Sequence, residues 1–158
     1  MAANMPQMKD TVRSAIRHFI NADTAHFGAA EKDLICRYYH EDVASLANNG
    51  DVLTQGWQAL SAQSAFFRRL ISNLQFTIDD IVAESFTVVI RWTARGVHDN
   101  AVEFPGVGKI EGTGNDVEVS GVSFCYMNED GKIARVWQMH DHMALLEQMG
   151  VHAAPPAR

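Results

Sequence analysis

The sequence predicts an α+β protein in which N-terminal helices pack on one face of a strongly curved antiparallel β-sheet. Apolar residues in the first half recur at helical spacing. From Gln75 onward, long stretches rich in β-branched and aromatic residues alternate with period two. Helices first and a strand meander afterwards is the α+β order.

The elements follow from local pattern. Val12, Ala15, Ile16, Phe19 and Ile20 mark one face of a helix over residues 8–22. A second helix is predicted over 30–39, with Leu34, Ile35, Tyr38 and Tyr39 inward. A third runs from Trp57 to about Leu74 behind Gly56, and Gln63 interrupts its apolar stripe. Between them, Asn48-Asn49-Gly50 predicts a tight hairpin with two positive-φ residues. QFTIDDIVAE, FTVVIRWTARGVH, a segment near 109–119, SGVSFCYM and KIARVWQM read as strands, with Asn128–Gly131 as the last hairpin turn. Pro105 and the surrounding glycines make 100–116 a loop or bulged edge. Met143, Leu145, Leu146 and Met149 predict a terminal helix stopped at Gly150. A single domain over 1–158 is expected, ordered over about 9–150 with mobile tails.

Composition narrows the function. A net charge of −6 with scattered Lys and Arg gives no basic face for a nucleic acid. The apolar runs are too short to span a membrane, and the N-terminus lacks a secretory pattern. The two cysteines, Cys36 and Cys125, form no C-x-x-C pair, so a cytoplasmic protein without disulfides is expected. P-loop, dinucleotide and nucleophile-elbow motifs are absent.

The titratable groups gather in VWQMHDHMALLEQMG, residues 136–150. Strand alternation puts Val136, Gln138 and His140 on one face, with His140 as a base poised for proton transfer. Asp141 precedes a helical run and suits an N-cap, and it can also orient His140. His140 and His142, with His98 as a third ligand, make a weaker metal site, since Asp141 between them points away. Trp92 and Trp137 are candidates to wall a pocket and stack on a flat ring. Core packing is the alternative for both, and for Tyr38, which otherwise donates to a ligand carbonyl. His98 either faces a cavity mouth or is a solvated loop-end histidine.

The segments VVIRWTARGVH, VEVSGVSFCYMNEDGKIARVWQMHD and LLEQMG resemble the SnoaL-like polyketide cyclase family of the nuclear transport factor 2-like superfamily, from about residue 9 to Gly150. The resemblance implies a cone-shaped fold whose pocket is lined by the concave face of the sheet and the first helices. It also implies dimerisation through the convex face, where Arg91 and Arg95 are expected. Aldol ring closure in that family needs no cofactor or metal, an acidic residue on the last strand and a histidine on its neighbour. Aligning GKI and LLEQMG puts Gln138 at the acid and Phe124 at the histidine, and a small shift would put Asp141 at the acid instead. Neither an amide nor a phenyl ring takes up a proton near neutral pH.

Two readings follow. One is a small-molecule enzyme working by acid/base chemistry on a hydrophobic carbonyl or ring substrate. In it His140 is the base, Asp141 orients it, Gln138 donates to the oxyanion, and Trp92, Trp137, Phe124, Tyr38 and His98 contact the ligand. The other is a non-catalytic dimeric binding protein that has lost the acid.

Overall fold

In the computed structural model, which describes residues 3–22 and 28–152, the first helix is α1 (Met5–Ala15). It starts earlier than its apolar face predicts because Asn4 caps it, accepting from the Gln7 amide, and Pro6 occupies the first turn. Met8, Val12 and Ala15 are buried, and Phe19 continues their row on a π-turn over Ile16–Ile20. The carbonyls of Phe19 and Ile20 accept from Arg68 at 2.5 and 2.7 Å. Asn21 then bonds both the N–H and the C=O of Phe76, fastening the end of the first helix to the sheet.

α2 (Glu31–Tyr38) passes straight into β1 (Tyr39–Leu46), because Tyr39 is already extended at φ −108°. Tyr39 is therefore the first strand residue rather than the last helical one, though still buried. The hairpin to β2 (Val52–Gln55) turns at Gly50 alone, with φ +89°. Asn49 keeps an ordinary φ and instead accepts from the Asp51 amide, so the predicted pair of positive-φ residues is not what closes the turn. α3 (Trp57–Leu70) ends sooner than its apolar spacing suggests, and Ile71 turns extended to feed β3 (Ser72–Glu84).

β4 (Thr87–His98) follows β3 by a tight turn at Ser85, which has φ +51°. The glycine-rich stretch folds as a separate small hairpin, β5 (Val102–Phe104) with β6 (Gly108–Ile110), anchored by buried Val102 and Ile110. β7 (Asn115–Met127) joins two predicted strand segments into one, and β8 (Ile133–His140) returns beside it. α4 (His142–Gln148) closes the described chain, and Gly150 follows at φ +81°. The outer tails, residues 1–2 and 153–158, lie outside the described residues.

The main sheet has the order β2-β1-β8-β7-β4-β3. It is mixed rather than wholly antiparallel, because β1 runs parallel to β8. The long excursion between them supplies the crossover that a parallel pair needs. Irregularities in β1, β3 and β7 bend the strands and curve the sheet. On one face lie Ile90, Trp92, Val117 and Cys125, all buried under the helices with Phe19, Ile35, Leu70 and Leu145. On the other lie Arg91, paired with Asp80 at 2.7 Å, and Arg95, paired with Glu118 at 2.6 Å, as expected for the convex face.

β8 stops at His140 because Asp141 starts α4, its Oδ1 accepting from the Ala144 amide at 2.9 Å. Beyond Gly121 the earlier half of β7 has no strand on that side. Gln148 of α4 stands in for one there, bonding both the N–H and the C=O of Glu118 at 2.8 Å. Among the described residues no helix is long and apolar enough to cross a membrane.

Candidate active site

Gly121 organises the site. It pairs with Trp92 of β4 on one side and His140 of β8 on the other. A Cβ at this position would lie 2.4 Å from the Trp92 ring and 2.6 Å from the Met139 carbonyl oxygen. Only glycine lets the indole lie across β7 at this point. Trp92, 3 % exposed, then directs its Nε1–H onto Ser123 Oγ at 2.9 Å. Ser123 passes the bond on, donating to Gln138 Oε1 at 3.1 Å. The chain of donors runs one way, so the carboxamide oxygen of Gln138 is occupied and its NH2 remains as a donor.

His140 is one pleat beyond Gln138 on the same face, roughly 7 Å along the strand. Three rings hold it. Phe67 of α3 meets it edge-on at 5.9 Å, Trp92 lies at 6.0 Å, and His142 stacks at 3.9 Å. Its Nε2 is sealed from water without a hydrogen-bond partner. Burial pushes its pKa down to about 4; His142 adds to the fall and Asp141 opposes it. His140 is therefore a neutral imidazole near pH 7. Asp141 is exposed and makes no hydrogen bond to His140, so the orienting role expected of it falls to the three rings.

Other expected site residues are placed elsewhere. Trp137 and Phe124 stand on the convex face, stacked edge-on at 5.5 Å, because their strand parity is opposite to that of Gln138 and Ser123. Neither lines the hollow, which corrects that expectation for both. Ser123, not Phe124, faces Gln138 from β7. Tyr38 is buried, and its hydroxyl lies 2.6 Å from His18 Nδ1 on the π-turn, so its polar end is engaged within the protein. His98 shares the face of Trp92 but sits six residues further along β4, roughly 20 Å away. It is fully buried beside Thr113, at 3.3 Å, with its own Nε2 unpartnered. It is neither a solvated loop residue nor a neighbour of His140.

Among the described residues no three His, Cys, Asp or Glu side chains converge as a metal would need. Every described Asp and Glu is exposed except Glu31, which Ser61 engages. The last strand, β8, holds no Asp or Glu, so the acid that the family resemblance puts on that strand is not there. A cleft of about 250 Å³ opens between the start of α1, Phe86 and the β7–β8 turn. It lies at the other end of β8, roughly 25 Å from His140.

Ser123, Gly121 and Phe67 were not singled out from sequence. Gly121 and Ser123 do share a parity with Val119 and Cys125 in VEVSGVSFC, which was the available signal. Phe67 lay in the predicted stripe of α3 and reads there as core.

The helices closing one face of a curved sheet define a cone-shaped α+β fold. Solved structures agree. A proposed SnoaL-like polyketide cyclase from Jannaschia sp. CCS1 superposes with a TM-score of 0.76 at 17% identity, covering 99% of this chain and 98% of the other. AclR, a proposed hydroxylase from Streptomyces galilaeus, gives 0.74 at 18%, covering 97% and 87%. IdmH, a proposed polyketide cyclase from Streptomyces antibioticus, gives 0.68 at 21%, covering 92% and 99%. No curated protein matches the chain. The family model for SnoaL-like polyketide cyclases matches residues 12–149, and the chain belongs to that family.

The low basicity of His140 is directly measurable. Its imidazole proton resonances should titrate with a midpoint near 4, not at the ordinary value of 6.5. Because the folded-state pKa lies below the unfolded one, its contribution to stability is present above about pH 6.5 and is lost as pH falls toward 4. A midpoint at 6 or above in the folded protein would show that the ring is solvated.

Proposed function

We propose that this protein is a cofactor-independent acid/base enzyme acting on an uncharged, hydrophobic carbonyl or ring compound. The observation that carries this reading is the pairing of a neutral, water-free imidazole Nε2 with a carboxamide whose donor end is free. The chemistry follows from the groups. Gln138 donates to the ligand's carbonyl oxygen, stabilising the negative charge that forms when the adjacent carbon loses a proton. His140 takes that proton. Its depressed pKa makes it a weak base, suited to an activated carbon, and makes the imidazolium a strong acid that returns the proton readily. Trp92 walls the site and polarises the Ser123–Gln138 chain.

An uncharged ligand is favoured because the helix-covered face of β4, β7 and β8 offers no Lys, Arg, Asp or Glu around Gln138. A charged ligand would lose its hydration there without gaining a counter-ion. Cys36 and Cys125 are free thiols, which fits a cytoplasmic setting. The lack of a buried carboxylate among the described residues favours a second reading, a binding protein that holds the same ligand and leaves it unchanged.

Deuterium uptake separates the two. With 2-tetralone in D2O, the wild-type protein should accelerate exchange at the α-carbon, and His140→Ala should lower the rate about 100-fold. Binding of 2-tetralone without accelerated exchange would leave the binding-protein reading, and an unimpaired His140→Ala would remove His140 from the chemistry.

We further propose that a second copy of the chain covers the convex face, where Phe124 and Trp137 lie and Met139 is 46 % exposed. Light scattering should find a dimer that Trp137→Glu converts to monomer; a monomeric wild type, or a variant that stays dimeric, would contradict this.

A further inference from the structure

A polar residue breaks the inner stripe of α3. Leu60, Phe67 and Leu70 face the sheet, and Gln63 stands in their row, half-buried. A polar side chain in such a stripe is costly unless it is partnered. Its partner is Ser45 of β1, whose Oγ donates to Gln63 Oε1 at 3.3 Å. Ser45 pairs with Val136 in the parallel register of β1 and β8, so its side chain points the same way as Val136 and Gln138. Gln138 is one pleat beyond Val136, and Phe67, one turn beyond Gln63, touches His140.

Gln63 and Gln138 therefore lie on two elements, α3 and β8, that are linked through Ser45 on one side and Phe67–His140 on the other. Each has its carboxamide oxygen held by a serine hydroxyl, Ser45 in one case and Ser123 in the other. The sense is the same in both: the oxygen is occupied and the NH2 is left to donate.

We infer that Gln63 is a second ligand-binding residue, and that Gln63 and Gln138 together present two oriented amide donors to a ring compound carrying two acceptor oxygens. The inference rests on the reading of the His140–Gln138 region as a ligand site. Two half-buried donors select for two acceptors, because a ligand with a single oxygen covers one NH2 without pairing it. Two carbonyls flanking one carbon also activate its proton, which matches the weak base that His140 provides.

Calorimetry on the full chain tests this with 1-tetralone, which has one carbonyl, and 2-acetyl-1-tetralone, which has two. The wild type should bind the diketone about fivefold more tightly. Gln63→Leu should abolish that preference by weakening the diketone, with 1-tetralone bound no more weakly than by the wild type. Gln63→Glu, which keeps the shape and removes the donor, should do the same, and circular dichroism of both variants checks that the fold is intact. Ser45→Ala, which keeps the amide but releases it, should lower the preference partway. A preference that survives in both Gln63 variants, or an equal loss for both ketones, overturns the role of Gln63 and leaves the ligand site standing. No binding of either ketone to the wild type overturns the ligand site itself, and the role of Gln63 with it.

Discussion

The indole of Trp92 lying flat over Gly121 is the contact on which the rest of the site depends. The absence of a Cβ at one position of β7 decides where the largest side chain of β4 can go. From there the indole N–H orients Ser123, Ser123 orients Gln138, and the ring edge closes one side of His140. Three strands are thus tied by one line of hydrogen bonds inside a low-dielectric interior, where each bond strengthens the next. A methyl group at 121 would clash with both the indole and the neighbouring backbone, so the site and the local packing stand or fall together.

Membership of the cyclase family settles the scaffold and leaves the chemistry to the side chains. Here the last strand offers an amide at 138 and an imidazole at 140, and the next strand offers a hydroxyl at 123. On the proposed function, such a set holds a neutral ligand by donation and moves protons through a ring that prefers to stay uncharged, without a carboxylate. Asp141, the nearest acid in sequence, is committed to starting α4, and the break it makes places His142 over His140.

Much of the fold was legible in the sequence because hydrophobic period reports burial on one face. The helical spacing of Val12, Ala15 and Phe19 and the alternation through β4 and β8 both match the observed core. What period cannot report is pairing. The parallel placement of β1 against β8 depends on a contact between segments some ninety residues apart, which local pattern does not encode. Boundaries slipped where capping outweighed apolar spacing, at Asn4 and at Ile71. In the site, parity located His140 and Gln138 correctly relative to each other, and the same parity excludes Trp137, grouped with them by residue type, and Phe124, grouped with them by alignment to the family's histidine. Ser123 escaped notice, and Gln63 registered only as a break in an apolar stripe, because a lone serine in a strand and a lone glutamine in a helix acquire meaning only through their partners.

A crystal structure with 2-acetyl-1-tetralone bound is the most direct measurement of where this chain does its work. One carbonyl oxygen should lie about 2.9 Å from Gln138 Nε2, with the carbon between the carbonyls facing His140 Nε2. Density for the ketone only in the cleft beside α1, or against Trp137 on the convex face, would contradict the assignment of the site.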